Sequence, residues 1–185
     1  MGEQHKKHNR REHLNDFHLN VAGEYVYDGA LYACQSDDAK QRRSKRAVWG
    51  MAAILIVAVI AGGCIPAPGM QNCFYVLLPY LGEFLGAASV IWALAKLGMD
   101  WGTVREYNYK KSVAVLPVRT AVTAVFSGLG IVCELIFFFV NDHAGQTFFA
   151  LLYVLLKLTA LLSALVLRAE IMQAEWDKLP KKDNF

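Results

Sequence analysis

Three ionisable side chains interrupt long apolar runs of the sequence: Glu83, Glu134 and Lys157. In a lipid environment a charge that faces the hydrocarbon is strongly unfavourable, so each of these side chains is expected to face a protein interior and to find a partner there. Ionisable groups at such positions bind a proton, an ion or a small solute, or they hold helices together in a fixed register.

The depth of these residues predicts which of them meet. Glu83 lies nine residues into its apolar run and Lys157 ten residues into its own, so at ~1.5 Å per residue both lie ~13–15 Å from the same membrane edge. The sequence therefore predicts a Glu83–Lys157 ion pair near the midplane. Glu134 lies six residues from the end of its run, ~9 Å deep, where it joins the pair from above or stays protonated.

Small and polar residues accompany these charges at helical spacing. One face of the third run carries a polar stripe that follows a helix face for most of the membrane depth: Thr120, Thr123, Ser127, Gly130 and Glu134. The neighbouring runs carry small residues at the four-residue spacing that lets helix backbones approach closely: Gly82 and Gly86, and Ala160 and Ala164.

The elements that must position these residues are four apolar runs in a chain of 185 residues, of which 55% are hydrophobic. A soluble domain of this size has too few polar residues left to cover four such helices. We therefore predict an all-α integral membrane protein with four transmembrane helices in an antiparallel bundle. The predicted spans are 47–65, 74–97, 113–140 and 147–167, which divide the chain into an N-terminal segment 1–46, a transmembrane domain 47–168 and a C-terminal tail 169–185.

The basic residues indicate the orientation of the bundle. Eighteen of the nineteen Lys and Arg residues fall in the N-terminal segment, the connection between the second and third spans, or the tail, when the adjoining helix ends with Lys96, Arg119 and Arg168 are counted with them, and the remaining one is Lys157. Because basic residues stay on the cytoplasmic side, both termini are predicted to be cytoplasmic. The basic run Gln41–Arg46 is explained by this topology and by the lipid bilayer, and predicts no nucleic-acid partner.

Outside the membrane, the N-terminal segment contains a predicted β-hairpin near 24–33. Asp28-Gly29 suits a two-residue turn, and aromatic and β-branched residues flank it. An isolated hairpin is marginally stable, so it needs the membrane surface, the connection between spans two and three, or another protein to pack on. That connection is expected to contain a short interfacial helix, and the last helix is expected to continue towards Pro180.

Cysteine and histidine placement predicts little further chemistry. Cys64 and Cys73 bracket one short loop, where a disulfide between them is compatible with the topology. Of His5, His8, His13 and His18, only His5 and His8 have the spacing of a metal-binding pair on a helix, and no Cys or carboxylate pair completes a ligand set. Neither a metal nor a cofactor is therefore predicted. Nucleophile-elbow, metalloprotease, phosphate-loop and dinucleotide motifs are absent from the sequence, so an enzyme is not favoured.

Two functional readings remain open at this stage. The favoured one is a small membrane protein that works by association, as an accessory or assembly subunit of a complex with itself or with another membrane protein. The alternative is an oligomeric transporter or channel for a proton, ion or small solute that uses Glu83, Glu134 and Lys157. The short loops favour a bacterial plasma membrane in either case.

Overall fold

The computed structural model describes residues 17–19, 23, 25–27, 29–98, 101–141 and 147–179. Its helices are α1 (Asp38–Cys64), α2 (Pro68–Asn72), α3 (Phe74–Leu97), α4 (Glu106–Lys111), α5 (Leu116–Val140) and α6 (Thr147–Gln173). Its strands are β1 (Phe17–Leu19), β2 (Tyr25–Tyr27), β3 (Leu31–Cys34), β4 (Thr103–Arg105) and β5 (Trp176–Lys178).

The four long helices α1, α3, α5 and α6 are each long and apolar enough to cross a membrane. This confirms the four predicted helices and suggests a multi-pass membrane protein. The bounds of α3 are those predicted, whereas α1 begins at Asp38 instead of at residue 47. The basic run Gln41–Arg46 is therefore helical, which its Lys, Arg and Gln side chains favour by intrinsic propensity. Asp38 in the first turn suits the positive end of the helix dipole.

The long helices pack in a ring in which α1 contacts α6, α6 contacts α5, and α5 contacts α3 extensively. The ring closes at a seam between α1 and α3, where the contact is less extensive. As a result α3 and α6 lie at opposite corners. Small side chains such as Ala87, Ala160 and Ala164 are buried along the interior, whereas large apolar side chains such as Leu85 and Phe139 are exposed on the outer faces.

A three-stranded antiparallel sheet joins three distant parts of the chain. β3 is the central strand, and it pairs with β4 from the α3–α5 connection and with β5 from the C-terminal tail. The start of α1, the α3–α5 connection and the end of α6 therefore lie at one end of the bundle, which we call the sheet end. The loop between α1 and α3, with the short helix α2, lies at the opposite end, which we call the α2 end.

The predicted hairpin near 24–33 is wrong, although strands form on both sides of Asp28-Gly29. β2 pairs with β1 instead, and β3 pairs with β4 and β5. The Asp28-Gly29 turn signal predicts that β2 pairs with β3. In the structure β3 instead has a hydrogen-bonded neighbour on both edges, β4 on one and β5 on the other. The sequence suggested that this segment packs on the membrane surface, on the α3–α5 connection or on another protein. In the structure β3 pairs with β4 of the α3–α5 connection.

The other two segments at the sheet end also differ in part from expectation. The connection contains the short helix α4, but the strand β4 precedes it. The last helix ends at Gln173, and the chain then turns back into β5 instead of continuing as helix towards Pro180. Both strands are only three residues long, which is too short to show a clear alternation of apolar and polar residues.

Aromatic rings pack the sheet against the bundle. Tyr32 of β3 stacks on Tyr109 of α4 with ring centroids 4.2 Å apart. Trp176 of β5 lies 6.0 Å from Tyr109 and 6.2 Å from Trp101. Trp101 in turn belongs to the buried apolar cluster at the sheet ends of the long helices. The short strands are therefore stabilised by packing on the bundle as well as by their own hydrogen bonds.

Candidate functional site

The ion pair predicted between Glu83 and Lys157 is formed in the structure. Lys157 Nζ contacts Glu83 Oε2, with the side chains 2% and 0% exposed, respectively. Glu83 comes from α3 and Lys157 from α6, so the pair crosses the interior between opposite corners of the ring. Two opposite charges that share this interior each remove the penalty of leaving the other buried and unpaired.

Ser127 of α5 completes the coordination of the carboxylate. Its hydroxyl donates a hydrogen bond of 2.6 Å to Glu83 Oε1, so each carboxylate oxygen has a partner. The site thus joins α3, α5 and α6 through side chains alone.

The rest of the predicted polar stripe on α5 is buried as well, but it behaves differently. Thr120 donates to the carbonyl oxygen of Leu116, and Thr123 donates to that of Arg119, both at 2.9 Å. These hydroxyls are therefore satisfied within their own helix. Ser127 is the stripe hydroxyl that reaches another helix.

Two tyrosines that the sequence reasoning missed enclose the ammonium group. Lys157 Nζ lies 4.6 Å from the ring centroid of Tyr80 and 5.0 Å from that of Tyr153. A cation within ~6 Å of an aromatic ring is attracted by the ring quadrupole. A signal was present in the sequence, because Tyr80 precedes Glu83 by three residues and Tyr153 precedes Lys157 by four, which places each on the same helix face as its charge.

The predicted small residues provide the close approaches that the site needs. A Cβ atom at Gly86 would lie 2.6 Å from Thr123 Oγ1, and one at Gly82 would lie 2.6 Å from the ring of Phe126. These contacts bring α3 against α5. Gly130 lies beside the stem of Lys157, whose Cδ and Cε would be 3.6 Å from an added Cβ. Ala160 and Ala164 are buried on α6.

Glu134 is buried at the α2 end, where it meets α2. The backbone N–H of Gly69 donates to Glu134 Oε1 at 3.4 Å, and a side chain at Gly69 would collide with the carboxyl group and with Phe137. Tyr153 is fully buried in the neighbouring cluster with Ala67, Val76 and Phe137. Within the part of the chain that the structure describes, its hydroxyl has no hydrogen-bond partner.

The sheet end carries a second candidate feature, a cleft of about 400 Å³ between the start of α1, the end of α6 and β3. Polar and charged side chains line it, together with Trp101: Lys40, Arg43, Ser44, Glu170 and Gln173. Ser44 donates a hydrogen bond of 3.1 Å to Glu170, which ties α1 to α6 at this end.

The remaining sequence predictions concern cysteines and metals. Cys64 and Cys73 are free thiols in the structure, so the disulfide considered between them is not formed. The described residues contain no group of three His, Cys, Asp or Glu side chains that could hold a metal ion. The side chains of the four N-terminal histidines considered from the sequence, His5, His8, His13 and His18, lie outside the described part.

Comparison with known proteins returns no matching family model, no matching curated protein and no matching solved structure.

Proposed function

We propose that this chain is a small integral membrane protein that functions by association, as an accessory or assembly subunit of a complex with itself or with another membrane protein. In this proposal it lies in a bacterial plasma membrane as an antiparallel four-helix bundle, with both termini and the sheet in the cytoplasm. The bilayer is its solvent on the exposed apolar faces.

One observation carries the proposal: three separate extramembrane segments converge on one sheet. These three segments, together with the helix ends beside them, hold eighteen of the nineteen basic residues, and β3, β4 and β5 join the segments. Such short strands are marginal alone, yet here they form an ordered surface fixed to the bundle by Tyr32, Tyr109 and Trp176. A fixed surface of this kind suits the binding of a partner.

The charges in the spans support the same reading. Glu83, Lys157 and Ser127 satisfy one another inside a single chain, and Arg119 donates to the carbonyl oxygen of Ser89 on α3 at 2.7 Å. Glu83 and Lys157 are consequently not presented to a partner's membrane helix. Association would then use the sheet end, where the exposed residues Thr103, Asp177 and Lys178 lie.

Co-purification tests this proposal. The tagged chain is extracted in a mild detergent, and its mass is measured by light scattering together with the identity of any stoichiometric companion. The double charge reversal Asp177→Lys/Lys178→Asp should release the companion or dissociate the oligomer, whereas the lipid-facing change Val125→Ala should not. A monomer that brings no companion from native membranes would contradict the proposal.

A second candidate function is proton, ion or small-solute transport by an oligomer. It is favoured by the buried Tyr153 hydroxyl and by Glu134, which extend the polar interior from the ion pair towards the α2 end. Liposomes that contain only the purified chain distinguish the two functions. Proton or solute flux that the substitution Glu83→Gln abolishes would support transport, and the lack of any flux would leave association as the proposed function.

A further inference from the structure

The surroundings of the Lys157 ammonium group have the composition of a receptor site for a free ammonium ion. The group faces the carboxylate of Glu83 and lies over the rings of Tyr80 and Tyr153 at 4.6 and 5.0 Å. Ser127 fixes the carboxylate from the other side at 2.6 Å. Aromatic faces attract a ligand cation as they attract a lysine ammonium group, and the carboxylate of Glu83 supplies the opposite charge. We call these four residues the ammonium cage.

The walls of the cage are held by contacts that do not involve Lys157. The Ser127 hydroxyl positions Glu83 across the α3–α5 interface. Tyr80 packs into the apolar cluster between the long helices and takes the space beside Gly63 of α1. Tyr153 is fully buried against Val76 and Phe137. These contacts should preserve the cage when the lysine side chain is removed.

Tyr80, at the α1–α3 seam, forms the least enclosed side of the cage. The seam between α1 and α3 is the less extensive of the four helix contacts that close the ring, and Tyr80 of α3 lies in this seam against Gly63 of α1. Glu83, Ser127 and Tyr153 are fully buried, whereas Tyr80 is only partly buried. Tyr80 is therefore the cage wall nearest the bundle surface, and a displaced Tyr80 side chain would expose the cage at the α1–α3 seam.

We propose that the ammonium cage is a binding site for primary alkylammonium groups, that Lys157 occupies it in the native chain, and that a free ligand reaches it through the α1–α3 seam once the lysine side chain is removed. The aromatic walls, together with the apolar space that the lysine stem fills, favour a cation that carries an alkyl chain over a bare inorganic cation. The carboxylate favours a cation over a neutral alcohol of the same shape.

Chemical rescue tests the cage. Lys157→Ala deletes the atoms from Cγ to Nζ, which correspond to n-propylammonium. The unfolding midpoint of the purified variant should rise saturably with n-propylammonium chloride at pH 8, where a primary amine is charged. A concentration of ten times Kd should give a rise of about 3–6 °C. n-Propanol at the same concentration should give no such rise, and neither should the amine added to Lys157→Met, where methionine fills the space.

Two further variants assign the rescue to the cage walls. Adding Tyr80→Leu to Lys157→Ala removes one aromatic face and should weaken the apparent affinity for n-propylammonium about 5- to 30-fold, the range of one cation–π contact. Adding Glu83→Gln removes the counter-charge and should abolish the rescue. Because these substitutions lie within the helix interfaces, each midpoint is compared with that of the same variant without amine.

Two outcomes of the rescue experiment would overturn the proposal. Equal rescue by n-propanol would show a non-specific apolar cavity and would overturn the proposal, as would a lack of rescue while Lys157→Met folds. If Lys157→Ala cannot be purified alone, the recovery of monodisperse protein from membranes solubilised with the amine, but not with n-propanol, is the same positive result. The proposal does not depend on whether the chain associates with a partner.

Discussion

At the scale of single residues, the contact between Glu83 and Lys157 determines how the bundle tolerates charge. Either residue alone would be a buried charge without a counter-charge, because the groups that contact the pair are the neutral Ser127 hydroxyl and the rings of Tyr80 and Tyr153. Removing one partner of a buried pair costs about 3–5 kcal/mol, because the other charge stays buried. Removing both charges avoids that cost.

A double-mutant cycle measures this coupling. Glu83→Gln and Lys157→Met should each lower the free energy of unfolding in detergent by about 3 kcal/mol. The double variant should recover part of the loss, with a coupling energy of about 1–3 kcal/mol. Reversible unfolding in mixed micelles provides the measurement. Strictly additive losses would mean that the two side chains do not interact in the folded protein.

The same residues show what the sequence could and could not predict about the site. Depth alone placed Glu83 and Lys157 level with each other, because a helix rises by a fixed amount per residue. The aromatic walls were missed, although Tyr80 and Tyr153 share helix faces with the two charges. Helix spacing gives a face, but it does not say which neighbouring side chain fills the space beside an ammonium group.

At the scale of helices, close approach between α3 and α5 depends on glycine. A Cβ at Gly86 would lie 2.6 Å from Thr123 Oγ1 and 3.3 Å from its backbone Cα atom. The backbone atom cannot turn away as a side chain can, so the helices must separate. That separation would also lengthen the hydrogen bond from Ser127 to Glu83.

We therefore expect Gly86→Ala to lower stability by about 1–3 kcal/mol through overpacking. The matched control is Gly128→Ala on α5, where an added Cβ meets nothing within 4 Å and alanine is the better helix former. Thermal unfolding of the two purified variants beside the parent gives the comparison. Equal midpoints for Gly86→Ala and Gly128→Ala would show that α3 and α5 are not in close contact at this point.

The ends of a helix could be predicted only where they coincide with the ends of an apolar run long enough to cross a membrane. α3 is such a helix, since it begins and ends where its apolar run does, at Phe74 and Leu97. α1 extends to Asp38 through charged residues, and a hydropathy pattern cannot distinguish charged helix from charged loop. β4 and β5 pair with a strand far away in sequence, so no local pattern could predict them.

At the scale of the whole molecule, the basic residues and the sheet group the same three segments together. The distribution of Lys and Arg assigns the N-terminal segment, the α3–α5 connection and the tail to one side of the membrane. The sheet β4-β3-β5 places the same three segments at one end of the bundle by hydrogen bonding. Hydrogen-bonded strands cannot lie on opposite sides of a membrane, so only the choice of compartment depends on the charge rule.

Cysteine labelling tests that choice, because natural cysteines mark both ends. Cys64 is exposed at the α2 end and Cys34 lies in β3 at the sheet end. Two variants that each keep one of these thiols, with the other three cysteines changed to serine, are treated with a membrane-impermeant maleimide in intact cells. The variant that keeps Cys64 should react at once, and the variant that keeps Cys34 should react only after permeabilisation. The reverse pattern would contradict the proposed orientation, because it would place the sheet outside the cytoplasm. Labelling of both thiols in intact cells would contradict the prediction that the sheet end lies on the cytoplasmic side.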